Sequence, residues 1–164
     1  AKLPSESEQL LKLIDERRTQ YNSTRASAEK GFPLFEKNCA ICHQVGGKGQ
    51  KIGPQLDGIG ARGLARLVED VLDPNRNVDP AFRATTVFMN DGRVLVGLVR
   101  RNEGETLVLA DNKGKEFMIA KTDIEEQQLS TLSLMPVNVS EILTPEEFEH
   151  LMAFLLTQQK KPQE

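Results

Sequence analysis

The stretch Cys39-Ala40-Ile41-Cys42-His43 decides how the rest of this chain is read. It holds the only two cysteines of the sequence and one of its two histidines. A structural zinc site fails by counting, since it takes about four protein ligands. The other histidine, His150, stands far downstream with no cysteine beside it. A thioredoxin-like redox pair shares the Cys-x-x-Cys spacing, but it belongs at the end of a strand in a βαβ unit, and the residues before Cys39 read as helix. Covalent attachment of one haem c remains, with Cys39 and Cys42 adding to the vinyl groups and His43 ligating the iron.

With both thioethers formed, the His43 side chain is tethered beneath the iron and has little entropy left to lose on ligation. Its ligating nitrogen must be unprotonated, and its other ring nitrogen should donate to a backbone carbonyl that fixes tautomer and orientation. Pro54 is the candidate, because Gly53 lets the loop approach and proline offers an acceptor with no competing donor. For the distal position there are four methionines. Met89 and Met118 fall in expected strands and Met152 on the apolar stripe of the last helix, so packing accounts for all three. Met135 lies in a short non-periodic segment between Ser133 and Pro136, where a stiffened loop can hold a thioether at fixed distance. Met135 is the expected second ligand; Met118 and an open position are the alternatives. Arg62 closes a glycine-rich loop, and its planar fork suits a haem propionate. Arg76 and Arg83 are weaker candidates for that role. His150 reads as a surface residue beside Glu146 and Glu149, and nothing supports a second haem.

At 164 residues the chain has room for one domain, or for a small domain with an insertion. Aromatic residues make up only 5% and tryptophan is absent, which suits a core completed by a flat apolar cofactor. The net charge of -3 comes from 21 basic and 24 acidic side chains mixed along the sequence, so neither nucleic acid nor anionic lipid is an expected partner. No run approaches the roughly 20 apolar residues of a transmembrane helix, and Ala1-Lys2-Leu3-Pro4 is not a signal peptide. Haem attachment nonetheless belongs outside the cytoplasm. The expectation is therefore a periplasmic or otherwise exported location, reached through a removed leader or as part of a larger exported protein. Gly-x-Gly at 47 to 49 lacks the strand and further glycines of a nucleotide loop, and Arg100-Arg101 and Glu125-Glu126 read as solvated faces.

Working outward, Ser5 and Glu8 form a capping box ahead of Leu10, Leu11, Ile14 and Tyr21, which predicts an N-terminal helix ending near Tyr21. Residues 1 to 26 are this helix and its connector, and 27 to 164 the main domain. Pro33 is costly inside a helix, so the helix leading to Cys39 is expected to start only near Phe32. Leu64, Leu67, Val68, Val71 and Leu72 make one helical stripe ended by Asp73-Pro74-Asn75. The period then changes to 2 over 84 to 90, 93 to 101, 105 to 110 and 115 to 121, separated by turn signals such as Asp91-Gly92. This predicts a four-stranded antiparallel meander inserted at about 81 to 125, followed by a polar stretch. The insertion is expected to lay one face, Val96 included, on the haem-binding helices and to support the Met135 loop. Thr144, Pro145 and Glu147 open a last helix bearing Phe148, Leu151, Met152 and Leu155. The predicted fold is mainly α with a small β insertion and an extra N-terminal helix.

Three segments then carry a family resemblance. They are Gly31-x-x-Leu34-Phe35 before the Cys39–His43 motif, Gly53-Pro54-x-Leu56-x-Gly58, and Leu134-Met135-Pro136 before a terminal helix. Together they resemble the class I cytochrome c fold. Gly60-Ala61-Arg62, Asp73-Pro74-Asn75 and Asp91-Gly92-x-x-x-x-Gly97 are similar, more specifically, to the haem-binding domain of planctomycetes and verrucomicrobia, often C-terminal in large exported dehydrogenase-like proteins. The resemblance covers roughly 27 to 157. It implies thioether bonds at Cys39 and Cys42, axial ligation by His43 and Met135, a His43 partner at Pro54, a cofactor-binding position at Leu56, and a propionate-side role for Arg62. A dehydrogenase, fused or separate, is the implied electron donor.

Electron transfer follows if histidine and methionine fill both axial positions and leave the iron closed to substrate. Two other classes compete. A haem enzyme or gas sensor requires Met135 to be absent from the iron or displaceable, and carbon monoxide binding discriminates it. A structural or interaction module stabilised by haem requires a potential and reduction rate that match no partner.

Overall fold

The computed structural model describes residues 5–159. Five helices carry the first core: α1 (Glu6–Gln20), α2 (Ala28–Asn38), α3 (Leu64–Leu72), the single turn α4 (Val139–Ile142) and α5 (Pro145–Leu156). Ser5 and Glu8 close a reciprocal capping box on α1, and Thr144 and Glu147 do the same on α5. Between the helices lie Phe35, Leu67, Val68, Leu72, Phe148, Leu151, Met152 and Leu155, all buried. From α1, Leu10, Leu13, Ile14 and Tyr21 pack against this core, while Leu11 is exposed.

α2 and α5 cross at Gly31, where a Cβ would lie 2.0 Å from His150 O. The crossing brings the Phe154 ring to 5.4 Å from Phe32 and 5.3 Å from Phe35, centroid to centroid. α2 begins at Ala28, not near Phe32, and so takes Pro33 into its interior. Ser27 makes this start favourable by accepting the Lys30 N–H at its hydroxyl. Pro33 faces solvent, and its cost of about 3 kcal/mol is outweighed by the aromatic burial along the other face of the same helix.

The main correction to the expected fold is the sheet. Five strands, β3 (Arg83–Met89), β4 (Val94–Glu103), β5 (Thr106–Ala110), β6 (Glu116–Ala120) and β7 (Ile124–Ser133), form one antiparallel sheet in the order β6-β5-β4-β3-β7. A separate two-stranded ladder, β1 (Gln44–Val45) with β2 (Lys48–Gly49), follows the cysteine motif. With helix, 3-10 turns included, at only 39% of the described residues, the fold is mixed α/β, not mainly α with a small β insertion. The strand of this sheet that sequence reading missed is β7, whose ten residues include only Ile124, Leu129 and Leu132 as large apolar side chains. It lies at the sheet edge and is exposed along most of its length, so it carries no alternating burial pattern to read. Its place is set by pairing with β3, Thr85 opposite Leu129 and Val87 opposite Gln127.

The sheet also covers its own apolar face. Val87, Met89, Leu107, Leu109 and Ile119 form a second core with Leu95, Phe117 and Ile124, all of them strand residues. Bulges in the β3–β7 ladder and between Val99 and Arg101 of β4 add the local twist that lets one sheet do this. Val96 points the other way and is 50% exposed, contrary to the expectation that it packs on the helices. No helix among the described residues is long and apolar enough to cross a membrane.

Candidate functional site

The cysteine motif is wound at the C-terminal end of α2. Cys39 N–H donates to Phe35 O at 2.8 Å, and the N–H groups of Cys42 and His43 both donate back to Cys39 O, at 3.1 and 2.9 Å. The loop that follows folds back on this turn: Ile52 and Gly53 donate to Cys42 O at 3.0 and 2.7 Å. His43 Nδ1 then donates to Pro54 O at 2.7 Å, which leaves Nε2 as the unprotonated nitrogen. The ring lies so close that a Cβ on Gly53 would stand 2.8 Å from His43 Cε1. Burial lowers the His43 pKa below its ordinary value, with the Pro54 bond opposing in part. The neutral ring is the form that ligates a metal.

Cys39 and Cys42 are not joined to each other. Burial, reinforced by the nearby Cys42, pushes the Cys39 thiol up to about 12. Cys42 is raised as well, by burial first and then by the charge of Asp111. Reactive dithiols and thiolate metal ligands need the opposite shift. Two neutral thiols in an apolar setting beside a neutral, oriented imidazole fit a c-type haem.

Met135 is half-buried against the helical core, on which Cys39 and Leu56 also border. Its N–H donates to Ser133 Oγ at 3.0 Å, and the Ser133 N–H donates to Asn75 Oδ1 at 2.8 Å. Leu56 donates its N–H to Gln44 O at 3.0 Å. Met89 and Met152 are fully packed in the two cores, and Met118 on β6 is 70% exposed. Arg62 is engaged by Asp70 through two bonds, Nε to Oδ2 at 2.7 Å and Nη2 to Oδ1 at 3.2 Å. Arg76 is paired with Glu69 and Asp73, and Arg83 donates to Val78 O.

His150 is not a surface residue. It is buried at the α2–α5 crossing, where Nδ1 accepts the Ser27 N–H at 3.0 Å and Nε2 faces Glu146 Oε1 at 3.5 Å. Glu149 is buried beside it and takes two bonds from Arg25 and one from the Asn22 N–H. The sequence shows nothing of the roles of Asn75, Leu98 and Ala110, and it marks Leu134 only as part of the Leu134-Met135-Pro136 segment. Leu98 and Ala110 carry no local sign of the cluster against which Cys42 packs, because that cluster joins distant parts of the chain. Asn75, in the Asp73-Pro74-Asn75 turn, was read only as a helix stop.

α2 and α5 cross, the Cys-x-x-Cys-His turn stands at the end of α2, and its imidazole is tied to a proline carbonyl, so Cys39, Cys42 and His43 are residues that could hold a c-type haem. Residues 28–93 match the cytochrome c family. Cytochrome c of Arabidopsis thaliana is 34% identical over 68 residues, which is 40% of this chain and 61% of that protein. The similarity is thus a distant one, to cytochromes c in general, and neither match distinguishes the planctomycete and verrucomicrobial subgroup. The family match contains the cysteine motif, Pro54, Leu56 and Arg62 but ends before Met135.

Proposed function

We propose that this chain is a single-haem c-type cytochrome, with haem c bound covalently at Cys39 and Cys42 and its iron held between His43 and Met135. The observation that carries this reading is the His43 Nδ1–Pro54 O bond at 2.7 Å, made by the loop that folds back on the turn bearing Cys39 and Cys42. When bound, the haem supplies one-electron chemistry. The chain supplies the rest. Pro54 keeps His43 in the ligating tautomer, and Gly53 keeps room for the ring. The apolar surround of Cys39, Leu56 and Met135 excludes water and disfavours the added positive charge of the oxidised state. A thioether in place of a second nitrogen ligand raises the potential further. Asp70 takes two of the five N–H donors of Arg62, and a propionate would be met by those it leaves, Nη1 among them. The proposed donor is a dehydrogenase, fused or separate, in the periplasm or another exported compartment, where haem attachment takes place.

The reading is tested on protein produced with the haem-attachment machinery. Mass analysis under denaturing conditions is expected to find one haem retained per chain. Spectra of the reduced protein should be unchanged by carbon monoxide. A haem-free chain with two free thiols would refute covalent attachment, and ready carbon monoxide binding would refute the closed iron.

A further inference from the structure

The turn that carries the cysteines is braced from outside by the sheet. β5 and β6 are joined through Asp111, whose Oδ1 accepts the N–H groups of Lys113 and Lys115, both at 2.9 Å, while its own N–H donates to Lys115 O at 2.9 Å. Gly114 in this stiffened turn has φ +74°, and a Cβ there would stand 2.3 Å from Ile41 O, in the middle of the cysteine motif. Beside it, Arg100 of β4 donates from Nη1 to Lys51 O at 2.8 Å. Beneath both contacts runs a third apolar cluster. Leu98 and Ala110, paired across β4 and β5, are buried there with Ile52, and Cys42 and Phe82 pack against them.

Leu134 enters the same cluster. It stands between Ser133, the last residue of β7, and Met135, and Ser133 is itself anchored to Asn75. One sheet therefore borders the cysteine turn and the loop after it, through the β5–β6 turn at Ile41 O, Arg100 of β4 at Lys51 O and the cluster on which Cys42 packs, and delivers the Met135 segment from the end of β7. Ala110 is fully buried, so displacement on one side of the cluster is passed to the other with little slack.

We infer that the sheet is a positioning frame for the axial ligands. Leu98, Ala110, Gly114 and Arg100 are positioning residues that act through the Cys39–His43 turn on one side and through Leu134 on the other, and so set Met135 relative to His43. This rests on the His43/Met135 reading given above. A methionine on an unsupported loop exchanges between bound and detached states, and the frame shifts that equilibrium by ordering the loop beforehand. An appendage that only added stability would leave the exchange unaltered.

Leu98→Ala and Arg100→Gln test the inference in the haem-loaded chain. Haem retention is followed by denaturing mass analysis and folding by far-ultraviolet circular dichroism. Ligation is followed by the methionine-to-iron charge-transfer band of the oxidised protein and by carbon monoxide binding to the reduced one. Both variants should keep covalent haem, weaken the band and bind carbon monoxide about tenfold more readily. Arg100→Lys, which restores a donor for Lys51 O, should recover the parent behaviour, and the exposed Val96→Thr should never depart from it. A Leu98→Ala protein that melts earlier with band and carbon monoxide binding unchanged would overturn the frame. If Leu98→Ala does not fold, Arg100→Gln decides by the same two readings. A parent protein that lacks the band or binds carbon monoxide freely overturns the His43/Met135 reading itself, and that outcome is visible before any variant is made.

Discussion

Gly31→Ala probes the helix crossing on which the cysteine turn is built. In an isolated helix the change is favourable by about 1 kcal/mol, because alanine loses less backbone entropy than glycine. Here the new methyl would lie 2.0 Å from His150 O, 2.7 Å from His150 C and 2.8 Å from Phe154 Cβ, where real Cβ atoms essentially never come within 3.0 Å. The nearest obstacle is helical backbone and cannot rotate away, so α2 and α5 must part by about 1 Å, and gaps of that size forfeit a quarter to a half of each contact's dispersion energy. Overpacking costs about 1–3 kcal/mol. A backbone clash at a crossing lined by Phe32, Phe35 and Phe154 belongs at the upper end. After the helix-propensity gain the net loss is about 2 kcal/mol, which lowers Tm by roughly 4–8 °C in a chain of this size. Thermal and urea unfolding of the parent and the variant measure it, with the exposed Glu36→Ala as a control expected to lie within about 0.5 kcal/mol of the parent. A Gly31→Ala protein as stable as the parent, or more stable, would refute the close crossing.

Pro33→Ala should act in the opposite direction, raising stability by about 1–2 kcal/mol as it restores a helix N–H at an exposed interior position of α2, and urea unfolding reads the sign. Glu149 gives the acid limb a defined slope. Hydrogen bonds from Arg25 hold its carboxyl below its ordinary value, against burial, with a further contribution from the Asn22 N–H. A folded-state pKa below the unfolded one means the unfolded chain takes up the proton first as pH falls. The stabilisation is therefore whole above the unfolded value of about 4.3 and is lost as pH drops from there through the folded value. Glu149→Gln should flatten that part of the stability–pH curve and be less stable than the parent at neutral pH, as urea midpoints across the acid range will show. Met135→Ala should retain covalent haem, bind carbon monoxide when reduced, and fall in reduction potential as the thioether is lost. An unchanged ligand spectrum would remove Met135 from the iron.

What the sequence determined by itself is what lies close along the chain. Two cysteines and a histidine within five residues bring two thiols and an imidazole onto one turn without reference to anything distant. The His43–Pro54 bond spans eleven residues, short enough for glycine and proline to announce it. The apolar stripe of α3 and the caps of α1 and α5 are likewise local, since periodicity and capping follow from the backbone repeat. Tertiary structure alone decided whatever depends on a partner elsewhere. The polar strand β7 becomes a strand because β3 offers it an unpaired edge, and its addition makes the fold mixed α/β. Gln127 and Glu126 show nothing of this in their side chains. His150 is buried because α2 crosses over it and supplies the Ser27 N–H, a partner 123 residues away. Arg62 meets Asp70 only because the loop before α3 turns its guanidinium back along that helix. The cluster that joins Cys42 to Leu134 exists only once two strands of the sheet have come between them. Side-chain chemistry and helical period are properties of neighbouring residues, whereas burial and pairing are properties of the assembled chain.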